Sequence, residues 1–319
     1  MLIRIARADE LPALVQHSDQ PEHNDGRAAY LTDLLTKRCT RPEWCLVAED
    51  EAGRLTAATA LWTLPGREIP MALVLLEAPW GEPGLVTGRA LLAKAVALAG
   101  SLGATELEHV TDSPTQAPQY QAQPERRAEL LRLAGFERAR DGRRFRRRSG
   151  AEHATHDSRL TWRSLPGLGR EPFISLLAEA LPTSADAQLA ARVAKHGARR
   201  AAESLFADME EFSYEPSWWE IGYATDGTPA ALSLPARNPS TAVIGLVAVS
   251  PACRGNGYAT AVVARGTRLL VEAGAEEIRG DCDAANTAMI MAFERAGYEN
   301  FAARQEFTRR LRATAPPAP

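Results

Sequence analysis

The sequence predicts an α/β protein built from two tandem copies of one fold, each a sheet flanked by helices, and three observations predict it. Strand-length apolar runs alternate with helix-length periodic segments along the 319 residues. The chain also repeats itself in order. The run Ala134 to Arg148 answers Ala296 to Arg310, Leu102 to Glu108 answers Ala273 to Arg279, and Ala72 to Pro79 answers Ile244 to Pro251. Between the copies lies Ser149 to Asp157, polar and without periodicity. A chain of this length suits two globular domains better than one. The reading is a first copy over 1–149, a linker over 150–157, a second copy over 158–312 and a Pro-rich tail, 313–319, expected to fray.

The first copy opens with a strand, Leu2 to Ile5, and an amphipathic helix, Ala8 to Gln16. Trp44 to Leu61 reads as a hairpin turning at an acidic-Gly pair, as does Trp219 to Leu234 in the second copy. Leu160 to Arg163 and Pro172 to Leu181 reopen the strand-then-helix pattern. Then comes the apolar strand Ala242 to Val249, broken by Ser250-Pro251, and a helix running to about Ala273. A Gly274-Ala275 turn, a strand from Glu277 to Cys282 and a helix from Thr287 to Ala296 complete the copy before its last strand.

The turn between that apolar strand and its helix is Arg254-Gly255-Asn256-Gly257-Tyr258-Ala259-Thr260. Glycines let the backbone turn sharply and approach a ligand, and a helix N-terminus presents unpaired N–H groups and partial positive charge to an anion. Arg254 adds a cation and Thr260 a hydroxyl at the same mouth. The turn suits a phosphate. It is not a Walker loop, since no Gly-Lys-Ser/Thr follows, nor a dinucleotide fingerprint, since Thr260 stands where a third Gly or Ala belongs.

This turn and the later Asn286 to Tyr298 segment resemble motifs A and B of the GNAT superfamily of acetyl-CoA-dependent acyltransferases. Arg254 to Ala259 matches R/Q-x-x-G-x-G/A, and Asn286 to Tyr298 matches N-x-x-A-x-x-x-Y-E-x-x-G-F at most positions. The resemblance implies mixed, mostly antiparallel twisted sheets and an amine that attacks the thioester of acetyl-CoA directly. By the same resemblance, the backbone of Val247, Ala248 and Val249 pairs with the amide-rich arm of the cofactor as an added strand. The N–H groups of Gly255, Asn256, Gly257, Tyr258, Ala259 and Thr260 cradle its pyrophosphate, with the side chains of Asn256 and Tyr258 outward, and Asn286 bonds the arm. Phe293 takes the thiolate-facing position where many members have Tyr, so no phenol is there to protonate the leaving thiolate. The tandem layout is similar to that of mycothiol synthase, which leaves acetylation of a cysteinyl thiol-sugar, or non-catalytic CoA binding, as alternatives to N-acetylation.

Only the second copy keeps the device. Counting on from Pro79 and Pro251, the positions of Arg254, Gly255 and Gly257 are held by Glu82, Pro83 and Leu85, which repel phosphate, remove a donor and crowd the turn. Where Asn286 should recur, an irregular insertion runs from Ser113 to Pro124. The first copy is therefore expected to be a degenerate partner. Candidate general bases are Asp281, with Asp283 on the same strand face, and Glu220, with Glu210 and Glu211 nearby. Trp218, Trp219 and Tyr223 line either an acceptor pocket or the core.

Net charge is −3, which argues against a nucleic-acid partner. Arg143 to Arg148 reads as a solvated last strand. His153 and His156 stand alone in the linker, so no metal is expected. Cys39, Cys45, Cys253 and Cys282 show no paired spacing and read as free thiols of a cytoplasmic protein. With no apolar run long enough to span a bilayer, the expected partners are acetyl-CoA and an amine acceptor, the chain acting as a monomer or homodimer.

Overall fold

The structure, a computed structural model, describes residues 1–148, 150, 158–238 and 241–311. The metal-spaced His153 and His156, most of the linker and the Pro-rich tail lie outside the described residues. In chain order the elements are β1 (Leu2–Ile5), α1 (Pro21–Thr36), β2 (Cys45–Glu49), β3 (Leu55–Trp62), β4 (Ala72–Glu77), α2 (Glu82–Ser101), β5 (Glu106–Ser113), α3 (Pro124–Leu133) and β6 (Glu137–Arg148). There follow β7 (Thr161–Ser164), α4 (Leu165–Leu168), α5 (Glu171–Ala180), α6 (Ala187–His196), α7 (Ala198–Glu210), β8 (Glu220–Tyr223), β9 (Pro229–Arg237) and β10 (Ala242–Val249). The last four are α8 (Tyr258–Glu272), β11 (Glu277–Asp283), α9 (Thr287–Arg295) and β12 (Glu299–Arg310). The expected helix from Ala8 to Gln16 is a 3-10 helix, Ala8–Leu14, because Pro12 within it has no N–H to donate.

Two compact units form, Met1–Ala139 together with the chain from Arg304 onward, and Arg140–Ala303. They do not follow the linear cut at 150–157, because most of β6 belongs to the second unit and the end of β12 to the first. β6 runs antiparallel to β11, from Glu277↔Arg148 to Asp283↔Gly142. The end of β12 lies beside β5, where Arg304 pairs with Asp112 at 2.8 Å, Phe307 enters the core and the N–H of Leu311 donates to Thr105 at 2.8 Å.

Each unit holds a mixed, mostly antiparallel sheet flanked by helices. In the first, strand alternation sends Leu46 and Ala48 against α2 and α3, and Cys45 and Val47 against α1. In the second, Ile221, Leu232 and Ala248 pack on α5 and α7, while Ile244, Ile278 and Phe145 pack on α8 and α9. Each sheet contains a parallel pair that separates almost as soon as it forms. β4 pairs with β5 only at Ala72↔Glu108, and β10 with β11 only at Ala242↔Ile278 and Val243↔Arg279. Each pair thus opens into a fork.

Candidate functional site

The fork of the second unit opens into a cavity of about 380 Å³. One bank is the β10 backbone from Leu246 to Val249, just past a bulge at Gly245. The opposite wall comes from α9 (Met289, Ala292 and Arg295), with Asn286 at its head. Leu177, Leu181 and Leu189 supply apolar surface. Arg254, Gly255, Gly257, Tyr258, Ala259 and Thr260 close one end.

At that end Gly255 and Gly257 take φ of +82° and +78°, the left-handed region that an L side chain enters at a cost of roughly 1–2 kcal/mol. Space does not require glycine here; conformation does. A Cβ on Gly255 would meet nothing within 4 Å, and one on Gly257 only Arg159 at 3.7 Å. Two left-handed residues turn the chain straight from a 3-10 turn into α8. Among the described residues no acceptor pairs with the N–H groups of Gly255, Asn256, Gly257, Tyr258 or Ala259. Five consecutive donors at a helix N-terminus form a cradle for an anion. Thr260, expected in the same set, already donates its N–H to Gly257 at 3.1 Å as the first bond of the helix; only its side chain remains for a ligand.

Several predicted residues do other work than expected. The Arg254 guanidinium turns back to donate to the carbonyls of Ala180 and Thr183, both at 3.1 Å, so it ties the turn to the end of α5, where the helix dipole favours a cation. Asn256 folds the turn, its amide donating to Cys253 at 3.1 Å, and Tyr258 is among the residues that line the cavity. Arg159 lies outside every motif, yet it donates to the Asn256 carbonyl at 2.8 Å and sits 5.3 Å over the Tyr258 ring. Nothing in the sequence marked it. Arg295 also lines the cavity; no motif position pointed to it either. Asn286 caps α9 by accepting from Met289 at 3.2 Å, which leaves its amide NH2 for a ligand.

The expected catalytic side chains are placed elsewhere. Phe293 is 1 % exposed, stacked 4.9 Å from Phe145 and edge-on to Tyr298, and it does not line the cavity. Its ring covers Gly280, where a Cβ would lie 2.5 Å away, so the side chain at this motif position packs in the core. Glu220 is buried and gripped at both oxygens by Arg265, at 2.6 and 2.8 Å, a contact that also raises the arginine's pKa. A carboxylate held in this bidentate pair is not free to act as a base. Asp281 lies outside the cavity, 3.5 Å from Arg144 across the β6–β11 ladder. Asp283 accepts the N–H of Ala187 at 3.0 Å and of Ala285 at 2.8 Å, fixing the start of α6. Trp219 is core, its indole donating to Pro235 at 3.0 Å. All four cysteines are free and buried, and burial pushes the Cys282 thiol up to about 12.

Residues 189–298, which include the fork and the turn, match the family model described as acetyltransferase (GNAT) family. The chain carries a GNAT acetyltransferase-family domain. Its fold is shared with a GCN5-related N-acetyltransferase from Sphaerobacter thermophilus, 16 % identical, with a TM-score of 0.59 over 97 % of this chain and 95 % of that one. It is also similar to the glucosamine N-acetyltransferase region of a fungal multi-domain beta-N-acetylglucosaminidase, at 12 % identity and a TM-score of 0.58, covering 96 % of this chain and 38 % of that one. A conserved, functionally unknown protein of Staphylococcus epidermidis aligns at 10 % identity and a TM-score of 0.52, over 83 % of this chain and 95 % of that one. At such identities the likeness is one of fold. No curated protein sequence matches the chain. This GNAT domain supports acyl transfer as the class of chemistry. Among the described residues no helix is long and apolar enough to cross a membrane, and no three His, Cys, Asp or Glu side chains gather as a metal site.

Proposed function

We propose that the second unit binds acetyl-CoA in the β10–β11 fork and transfers its acetyl group to an amine. The observation that carries this reading is the run of five unpaired backbone N–H groups, Gly255 to Ala259, at one end of a cavity with an apolar wall. The donor cradle suits a pyrophosphate, and Leu177, Leu181 and Leu189 suit the aliphatic parts of a pantetheine arm. The β10 edge from Leu246 to Val249 has separated from β11 and offers main-chain groups to the amides of that arm. The Asn286 amide and the Arg295 cation stand on the far bank. Acetyl-CoA, when bound, supplies the activated carbonyl; the amine nitrogen forms a bond to that carbon, the C–S bond breaks, and the ammonium proton leaves to solvent.

No Asp, Glu or His side chain lines the cavity among the described residues, and Phe293 donates no proton. The reaction as proposed therefore uses an amine that arrives neutral and a thiol, of pKa roughly 8.5, that leaves without a side-chain acid. Such a reaction speeds up as pH rises toward the amine pKa. The deciding experiment is titration calorimetry with acetyl-CoA followed by thiol release in the presence of an amine panel. Binding with turnover supports the reading. Binding without turnover on any amine or thiol identifies a CoA-binding protein instead, and absence of binding overturns the site.

A further inference from the structure

We propose that the acceptor carries a carboxylate or phosphate besides its amine, and that Arg146 and Arg279 hold this anionic handle beside Phe301. The inference rests on the acetyl-transfer reading of the same fork. Val243↔Arg279 is the last pair before β10 and β11 separate, so Arg279 stands at the apex of the fork. Strand alternation sends Ile278 and Cys282 into the core under α9, and Gly280 against the Phe293 ring. Glu277, Arg279 and Asp281 therefore face the opposite side. Phe145 enters the same core from β6, so Arg144, Arg146 and Arg148 share the face of Arg279.

On that face the guanidinium carbons of Arg144, Arg146 and Arg279 lie 5.1, 5.2 and 5.4 Å from the centre of the Phe301 ring. An aromatic face orients guanidinium groups and lowers the entropy lost when they engage a ligand. Carboxylates paired with these arginines include Glu277, Asp281 and Glu299. Arg279 uses Nε for Glu277 at 2.7 Å, and Arg146 uses Nε for Glu299. Arg144 reaches Asp281 at 3.5 Å, and Arg148 reaches the same Glu277 at 3.7 Å. Glu277 is thus shared between Arg279 and Arg148. Among the described residues the terminal nitrogens of Arg146 and Arg279 bond no protein group, and their side chains are 30 % and 33 % exposed.

Paired terminal N–H groups in one plane are the geometry that takes a carboxylate or phosphate bidentately. A neutral acceptor would leave them unused, and a purely cationic one would be repelled by the two guanidinium groups. The face therefore selects for an amine with an anionic group. Arg279 sets that selection at the apex of the fork, the end of β10 away from the anion cradle.

The test uses the full chain with acetyl-CoA and matched amines, glycine against glycinamide and glucosamine 6-phosphate against glucosamine, with binding followed by ligand-observed NMR alongside turnover. The anionic member of a pair should be preferred at least tenfold in kcat/KM or in affinity. The double variant R146Q/R279Q should raise its KM at least tenfold with kcat nearly constant, while the neutral member and acetyl-CoA affinity stay as they were. Should the double variant misfold, Arg279→Lys, which keeps the charge but loses the planar fork, should still raise KM for the anionic member. Neutral amines used as well as anionic ones, equal losses for both, or acetyl-CoA binding with no anionic amine bound would each overturn this inference alone. Failure of acetyl-CoA itself to bind would overturn the function reading as well.

Discussion

The β4–β5 fork of the first unit and the β10–β11 fork of the second separate in the same way and are finished in opposite ways. In the second, the backbone beyond the split lines a cavity. In the first, side chains of the same unit occupy it. The Gln119 carbonyl accepts the N–H of Leu75 at 2.8 Å, and Leu75 answers to Val247 when Pro79 and Pro251 are aligned. His109 bonds the Leu73 carbonyl at 3.0 Å, Gln121 the Val110 carbonyl at 2.9 Å, and Arg127 the Leu76 carbonyl. The insertion from Ser113 to Pro124 thus does for this fork what a pantetheine arm would do for the other. The anion cradle is missing too. α2 begins at Glu82, three residues after Pro79, whereas α8 begins at Tyr258, seven after Pro251. Counting from the prolines sets Glu82 and Leu85 opposite the turn, but both are already helical. A parallel pair that splits is therefore only a place for a ligand; the residues that fill or spare it decide whether one enters.

The largest effect that tests this contrast is expected at Gly257. Replacing it with Val puts a β-branched residue at φ +78° and withdraws N–H groups from the cradle. Acetyl-CoA affinity should fall at least a hundredfold, about 2.7 kcal/mol, in a protein whose circular dichroism is unchanged. Unaltered calorimetric affinity would show that the open fork owes nothing to its turn.

Acid should distinguish the filled fork next. Burial holds His109 at about 3, well below 6.5, and its neutral form fits the network: Nδ1–H donates to Leu73 while Nε2 accepts from Gln121 at 3.3 Å. Its folded pKa is depressed, so the stability it secures is complete above pH 6.5 and is lost as pH falls toward 3. The slope should be about 1.4 kcal/mol per pH unit in that window, and His109→Asn should flatten it in denaturant titrations. An unchanged slope would mean that the plug is not sensed by proton uptake at this residue.

Gln119→Ala removes the acceptor of the Leu75 N–H and should cost about 1–3 kcal/mol of stability. It should leave one acetyl-CoA bound per chain, since opening the fork does not restore the cradle. A stoichiometry of two would dissolve the distinction between the units.

The smallest change concerns Phe293. Packed between Phe145, Tyr298 and Gly280, Phe293→Tyr would bury a hydroxyl in an apolar cluster and lose about 1–2 kcal/mol, with acetyl-CoA affinity unchanged. A gain in turnover would return the ring to the reacting sulfur.

Much of the second unit was legible because its information is local. Two left-handed glycines, a broken apolar strand and an Asn N-cap state their geometry within a few residues, and the paired motifs carried the GNAT resemblance. Hairpins at acidic-Gly turns were legible for the same reason. Among the helices that went unread, α1 buries Arg27 among its contacts, and α6 and α7 meet at Gly197 with no apolar run to announce them.

What the sequence by itself determined was a duplicated α/β chain with one left-handed glycine turn at a helix N-terminus, since backbone conformation and alternation depend on neighbours in the chain. Only the tertiary structure decided the rest. It closed Glu220 onto Arg265, turned Phe293 over Gly280, brought Arg159 to the turn, filled one fork with Gln119 and sent most of β6 into the second unit and the end of β12 into the first. Each of these depends on partners tens of residues apart, and which partner a side chain meets is fixed by packing, to which no local pattern gives access.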